Sequence, residues 1–403
     1  MNQELTFSGS VLLEGRPSPP PLPLPVALPN QARAAAGFFP KMIRICFSAA
    51  DWVFGFLSLV LGLAILSVVP LLNFLTLGYL LHVSGRVAET GRLRDGFVGI
   101  RKASMLGSFV AGTWLVLWPV RYVSGMWQDA YLIAPNSPVT QQWRVGLIVL
   151  TLLTLWHIAW ACLRGGRLRH FLWPAPLRFW RWLRGPDKYK RANEAVNRHI
   201  AGLRLPYYFW LGLRGFVGAL AWLIIPVGIL LLATKVEPGP GALISLPGAF
   251  LLLLVCMHLP FLQTHFARTG RFSGMFELGE VRKLFRRAPI AYWVALFSSL
   301  LFALPLYLLK IELTPAELAF LPSLVFVAFI FPARLLTGWA MSRALRREQP
   351  RHFLSRWLGR LAILPVAGVY VLFVYLMPYL TWNGATSLLE QHAFLVPAPM
   401  MAK

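Results

Sequence analysis

From about residue 51 onward the chain alternates long uncharged apolar runs with polar breaks, and every second break is long and rich in arginine. Runs of ~18 or more mostly apolar residues mark helices able to cross a bilayer. Such runs lie at approximately 104–123, 145–163, 208–233, 241–265, 289–309, 318–338 and 361–380. An earlier one, Asp51 to Val83, exceeds a single crossing: as a helix it would reach about 50 Å at 1.5 Å per residue, against ~30 Å of hydrocarbon. Pro70 and Asn73 interrupt it, so it reads either as one tilted, kinked span or as two short helices turning at Pro70-Leu71-Leu72-Asn73. Taken as one span, it completes an all-α polytopic transmembrane bundle of about eight spans, with both termini on the face opposite the arginine-rich loops.

Polar tetrads punctuate these runs in a repeated order. Thr90-Gly91-Arg92-Leu93, the pair Arg101-Lys102, two apolar runs and Arg169-His170-Phe171-Leu172 return as Thr269-Gly270-Arg271-Phe272, Arg282-Lys283, two apolar runs and Arg351-His352-Phe353-Leu354. The offsets, 179 from Thr90 to Thr269 and 182 from Arg169 to Arg351, nearly agree, and near-constant offset over separate matches is the mark of internal duplication. Four spans per half is an even number, so two tandem repeats should insert in the same orientation, related by an axis along the membrane normal. The expected boundaries are 1–50 for a Pro-rich disordered tail and amphipathic lead-in, 51–233 and 241–380 for the repeats, and 381–403 for a short C-terminal tail.

Composition supports lipid as the solvent. Hydrophobic residues make up 57% of the chain and charged residues 13%, with mean hydropathy +0.61; soluble domains carry roughly 25% charged residues. The formal charge of +24 invites a nucleic-acid reading, but 28 of the 39 Lys and Arg fall in four loops, approximately 85–103, 164–206, 266–288 and 340–360. Lys and Arg hold short loops on the cytoplasmic face, whereas Asp and Glu contribute little. The charge therefore argues for cytoplasmic basic loops and against a nucleic-acid partner. Three cysteines, Cys46, Cys162 and Cys256, cannot build a disulfide framework.

The halves differ at about 171–205, an insertion in the first. In Leu177-Arg178-Phe179-Trp180-Arg181-Trp182-Leu183-Arg184 the arginines recur every third residue, so a helix carries Arg178, Arg181 and Arg184 on one arc and the aromatics on the other. That pattern suits a helix lying among lipid headgroups, with Trp180 and Trp182 as its apolar contacts. Asp187 is placed to cap a second helix, with Glu194 and Arg198 spaced for pairing. Seven prolines from Pro17 to Pro29 favour an extended polyproline II segment, a spacer or a docking site for a protein partner.

Gly91, Gly166 and Gly270 can take positive φ and end a helix. Arg92, Arg167 and Arg271 then stand at phosphate depth, where they either grip an anionic headgroup or simply set topology. Within the spans the polar residues are Asn73, His157, Arg214 and His258, together with Gln263 and Arg334, and intramembrane polar groups are functional hypotheses by default. Arg214 and Arg334 stand near enough to span ends to snorkel. No Asp or Glu lies inside a span away from its edges, which argues against an ion-coupled carrier. His157 with Cys162, and Cys256 with His258, do not share helix faces, so neither a metal site nor a cofactor is expected. The catalytic signatures of soluble enzymes are missing, and no enzyme is expected. Gly107 with Ala111, and Gly212, Gly215, Gly218 and Ala219, allow close helix approach within the chain or in a homo-oligomer.

Pro70-Leu71-Leu72-Asn73, Gly78-Tyr79, the Gly91-Arg92 turn and Phe266-Ala267-Arg268-Thr269-Gly270-Arg271-Phe272 resemble a bacterial family of multi-pass membrane proteins known as domain of unknown function 4013. The resemblance implies a bacterial cytoplasmic-membrane setting and no particular activity. Two functional readings remain: a non-enzymatic membrane protein that binds or moves a hydrophobic or anionic ligand such as a lipid, and a scaffold recruiting partners through its Pro-rich tail and Arg/Trp helix.

Overall fold

The computed structural model describes residues 38–184, 190, 193, 194, 197, 201–308, 320–381 and 384–389. The Pro17 to Pro29 stretch, the helix start at Asp187 and Arg198 lie outside them. The chain divides into two units, 1–49 and 50–403. In the first, residues 38–49 are helical and Met42, Ile45 and Cys46 are exposed; the packing and the cavities described below belong to the second.

Helix α1 spans Phe38–Val68, α2 Asn73–Thr90, α3 Ile100–Ile133 and α4 Pro138–Leu163, followed by the short α5 (Leu168–Leu172) and α6 (Pro176–Leu183). The second half holds α7 (Leu205–Ala233), α8 (Pro238–Thr269), α9 (Leu278–Arg287), α10 (Pro289–Leu308), α11 (Phe320–Leu345) and α12 (Phe353–Leu380). No strand occurs among the described residues. Among the described residues, seven helices are long and apolar enough to cross a membrane, or eight if the bent pair α9–α10 is one span. The all-α polytopic class expected from the apolar runs is the class observed.

Local chemistry explains several boundaries. The Ser137 hydroxyl accepts from the Thr140 N–H at 3.2 Å and Pro138 occupies the first turn, which starts α4. Gly91 (φ 70°) and Gly270 (φ 68°) close α2 and α8 in the left-handed conformation, each N–H bonding four residues back, to Val87 and Phe266. Arg92 and Arg271 follow in extended backbone, and a single 3-10 turn comes next in both places, Leu93–Gly96 and Phe272–Met275. The two turns are thus alike in backbone, but the helices after them differ. Helix α3 runs on unbroken for 34 residues, whereas α9 and α10 meet at a bend of 113°. The Arg-His-Phe-Leu tetrads diverge too: His170 lies within α5, while His352 caps α12 and accepts from the Leu354 N–H.

The run from Asp51 to Val83 is two helices. Val69–Leu72 break it, with Leu71 in the left-handed region at φ 68°, a conformation costing a non-glycine residue about 1–2 kcal/mol. The Thr76 hydroxyl donates to the Leu63 carbonyl at 2.9 Å, and the Trp52 ring lies 5.4 Å from Phe97. Pairing of 63 with 76 and of 52 with 97 makes α1 and α2 an antiparallel hairpin. The start of the first span therefore lies beside the basic segment after α2, where a single crossing would have put it at the far end.

Helix α2 sits in the middle of the bundle. All residues from Leu75 to Leu81 are buried, and α2 packs on α7, α8 and α11. Among lipid tails, which are as apolar as leucine, close packing rather than the hydrophobic effect draws helices together. Two glycines set that approach: a Cβ at Gly78 would stand 1.8 Å from the Tyr208 carbonyl oxygen, and one at Gly212 would stand 1.9 Å from that of Phe74. Helices α3 and α4 are peripheral, with 17% of their most apolar windows buried against 56% in α11.

Candidate functional site

A gap lies beside the tight α2–α7 seam, bounded on its other sides by α1 and α3. The result is a cavity of about 590 Å³, within the 300–1,000 Å³ usual for small-ligand sites. Each wall is one helical stripe: Leu59, Leu63 and Leu66 from α1; Leu75, Tyr79, His82 and Arg86 from α2; Lys102 and Leu106 from α3; Arg204, Leu205 and Tyr208 from the start of α7. Along α2 the lining passes from Leu75 through Tyr79 and His82 to Arg86, an apolar-to-cationic gradient over about 16 Å of helix.

The polar end is held by hydrogen bonds between elements. The Tyr79 hydroxyl donates to the Val98 carbonyl at 2.8 Å, His82 Nδ1 and the Tyr207 hydroxyl are 3.2 Å apart, and Lys102 Nζ donates to the Gly202 carbonyl. Arg346, just past the end of α11, donates to the Thr90 carbonyl at 2.7 Å and fixes the end of α2. Arg86, Arg94, Lys102 and Arg204 line this end with one acid, Asp95, which pairs loosely with Arg94 at 4.0 Å. Four cations and one carboxylate above an apolar floor favour an anion with a hydrocarbon part.

Of the residues named from the sequence, Tyr79 and Lys102 line this cavity, but none of the candidate lipid-binding or intramembrane polar residues does. Arg92, Arg167 and Arg271 are exposed at their turns, as are Arg178, Arg181 and Arg184 on α6. Helix α6 forms where the arginine spacing places it, but its aromatic face packs on protein: Phe179 lies 5.1 Å from Trp156 and 5.2 Å from Trp160, and Trp182 lies 5.8 Å from Trp160. Trp180 is exposed, with Arg184 over its ring at 5.9 Å. His157 Nε2 bonds the Phe171 carbonyl at 2.7 Å, and His258 Nδ1 bonds the Leu254 carbonyl of its own helix at 2.8 Å. Each histidine is engaged by backbone, and no cluster of three metal-ligating side chains occurs among the described residues. Asn73 opens α2 with its Oδ1 buried and unpaired. Burial, reinforced by Arg164, Arg169, Arg167 and Arg178, pushes His170 below its usual value.

Arg214 is exposed, as snorkelling requires. Arg334 is not: it is 4% exposed inside the bundle, and no ion pair reaches it among the described residues. Trp293 donates to the Ala362 carbonyl at 3.0 Å and ties α10 to α12.

Residues 206–314 match a family described as "Protein of unknown function (DUF4013)", the family resembled by the Gly-Arg turns and their flanks. The matched stretch covers α7, α8, α9 and α10, including Tyr208 at the cavity wall. No curated protein and no solved structure matches the chain.

Proposed function

We propose that this is an integral membrane protein of a bacterial cytoplasmic membrane that holds an amphipathic anion in the α1–α2–α3–α7 cavity, acidic group toward Arg86 and Arg204. Gradation of the lining from Leu59, Leu63 and Leu66 to four cations supports this reading most directly. Guanidinium groups bind carboxylate and phosphate through paired donors, and an apolar floor selects a hydrocarbon tail over a free ion. The basic loops lie in the cytoplasm in this account, as the placement of Lys and Arg argues. The duplicated Gly-Arg turns then serve as helix stops that hold two spans in register. Scaffolding draws less support, because the aromatic face of α6 is occupied by α4 and leaves mainly its arginines for a partner.

A fluorescent single-chain lysophosphatidic acid titrated into the detergent-purified protein tests this. Arg86→Gln with Arg204→Gln should weaken binding at least about tenfold, since each charge-assisted contact is worth roughly 1.5–3 kcal/mol. Equal affinity in both proteins would remove the cavity from consideration.

A further inference from the structure

We infer a second, smaller anion site, for a single phosphate group, at the elbow between α9 and α10. A cavity of about 170 Å³ there is lined by Arg343, Arg347 and Arg351, by Trp339, and by the first turn of α10 at Ile290 and Ala291; no acidic residue borders it. Its size is below the 300–1,000 Å³ of ordinary small-molecule pockets, which leaves room for a headgroup phosphate or a free phosphate ion but not for a larger ligand.

Three independent features bring the arginines to one place. Arg343 stands in the last turn of α11 and Arg347 two residues past its end, and both border the cavity. The Arg343 guanidinium rests 5.1 Å from the Trp339 ring centre, which orients it. Arg351 lies beyond the helix, and its backbone N–H donates to the Arg286 carbonyl at 2.9 Å, which pins it to the elbow. None of the three is ion-paired among the described residues. The 113° bend adds a smaller contribution, because it turns the start of α10 toward the arginines. Pro289 has no N–H to spend, and the N–H groups of Ile290 and Ala291 precede the first intrahelical bond of α10. The convergence of three guanidinium groups on one acid-free cavity carries the inference; the helix start only reinforces it.

A phosphate here comes from a lipid headgroup or from solution, and one experiment separates the sources. Melting of the full-length protein in detergent is followed with added inorganic phosphate, with added short-chain phosphatidic acid, and with phosphatidylcholine of the same chain length as a zwitterionic control. Measured in the Arg86→Gln/Arg204→Gln background, where the larger cavity is disabled, the site predicts saturable stabilisation by phosphate-bearing probes, with an apparent Kd raised at least about tenfold when Arg343→Gln/Arg347→Gln is added. Stabilisation by inorganic phosphate and phosphatidic acid alike assigns the free ion, and stabilisation by phosphatidic acid alone assigns the headgroup. Loss in the Arg86/Arg204 variant but not in the Arg343/Arg347 variant would overturn this site and leave the larger cavity standing. No saturable stabilisation by either phosphate probe would overturn it outright. Circular dichroism of each variant guards against misfolding, and Arg343→Lys/Arg347→Lys, which keeps the charge but not the paired donors, should recover part of the affinity.

Discussion

Replacement of Gly78 by alanine tests how the α2–α7 seam supports the cavity. The new Cβ would sit 1.8 Å from the Tyr208 carbonyl oxygen and 2.8 Å from the Gly212 nitrogen, where Cβ contacts under 3.0 Å essentially never occur. The obstruction is backbone, which cannot swing aside like a side-chain tip, so the helices must part by at least about 1.2 Å at this point. Overpacking of this kind costs typically 1–3 kcal/mol, and here it also moves Arg204 and Tyr208 away from His82 and Arg86. The control is Gly146→Ala, in the interior of α4, away from the cavity and with nothing within 4 Å of the new Cβ. That change should be neutral or stabilise by up to about 1 kcal/mol through helix propensity. Unfolding of both variants in mixed micelles, followed by circular dichroism, gives the comparison, and lysophosphatidic acid titration reports the cavity. If Gly78→Ala were as stable as the parent and bound as tightly, the claim that backbone contact between α2 and α7 shapes the site would be wrong.

Gly91→Ala should destabilise more than Gly270→Ala, although both carry a left-handed backbone. Its Cβ would also meet the Arg346 guanidinium at 1.8 Å, while Gly270 has open space; thermal melts of the two variants side by side check the order. Arg346→Gln, which releases the Thr90 carbonyl, should cost on the order of 1 kcal/mol, measured in the same melts. At the other Gly-Arg turn, the hydrogen bond from His265 at 2.8 Å holds the Glu277 carboxyl below its ordinary value of 4.5, helped by Arg271 and Ser273. A folded-state value below the unfolded one stabilises above the ordinary carboxylate range and is lost as pH falls through the lowered value. Glu277→Gln should therefore flatten the melting temperature's fall below pH 4.5, and an acid limb identical to the parent's would show the pair to be idle.

Long uncharged runs made the large helices legible to within a few residues at most ends, because lipid tolerates no unpaired backbone and leaves helix as the available answer. The α1–α2 hairpin was left open because length alone does not distinguish a kinked span from a reversal, and the deciding contacts, Leu63 with Thr76 and Trp52 with Phe97, are tertiary. The bend at Ala288 did carry a signal: proline at 289 disfavours helix for the residue before it. The cavity went unread for a related reason. Tyr79, His82 and Arg86 straddle the end expected for the first span, yet their i, i+3, i+7 spacing puts them on one face of α2. What they face, Arg204 and Tyr208, comes from beyond an insertion of about thirty residues, and no pattern along the chain links the two. Arg334 shows the opposite failure, since its distance from a helix end suggested snorkelling while the packing of α11 against α2 and α8 buries it.

The most direct test of the account is mass spectrometry of the intact protein released from mild detergent, with the mass and class of anything that stays bound. The cavity predicts a retained acidic amphiphile in the parent protein and its loss from Arg86→Gln/Arg204→Gln, with Arg92→Gln/Arg271→Gln retaining it. A parent protein that flies free of ligand, or one whose ligand follows Arg92 and Arg271 instead, would contradict it.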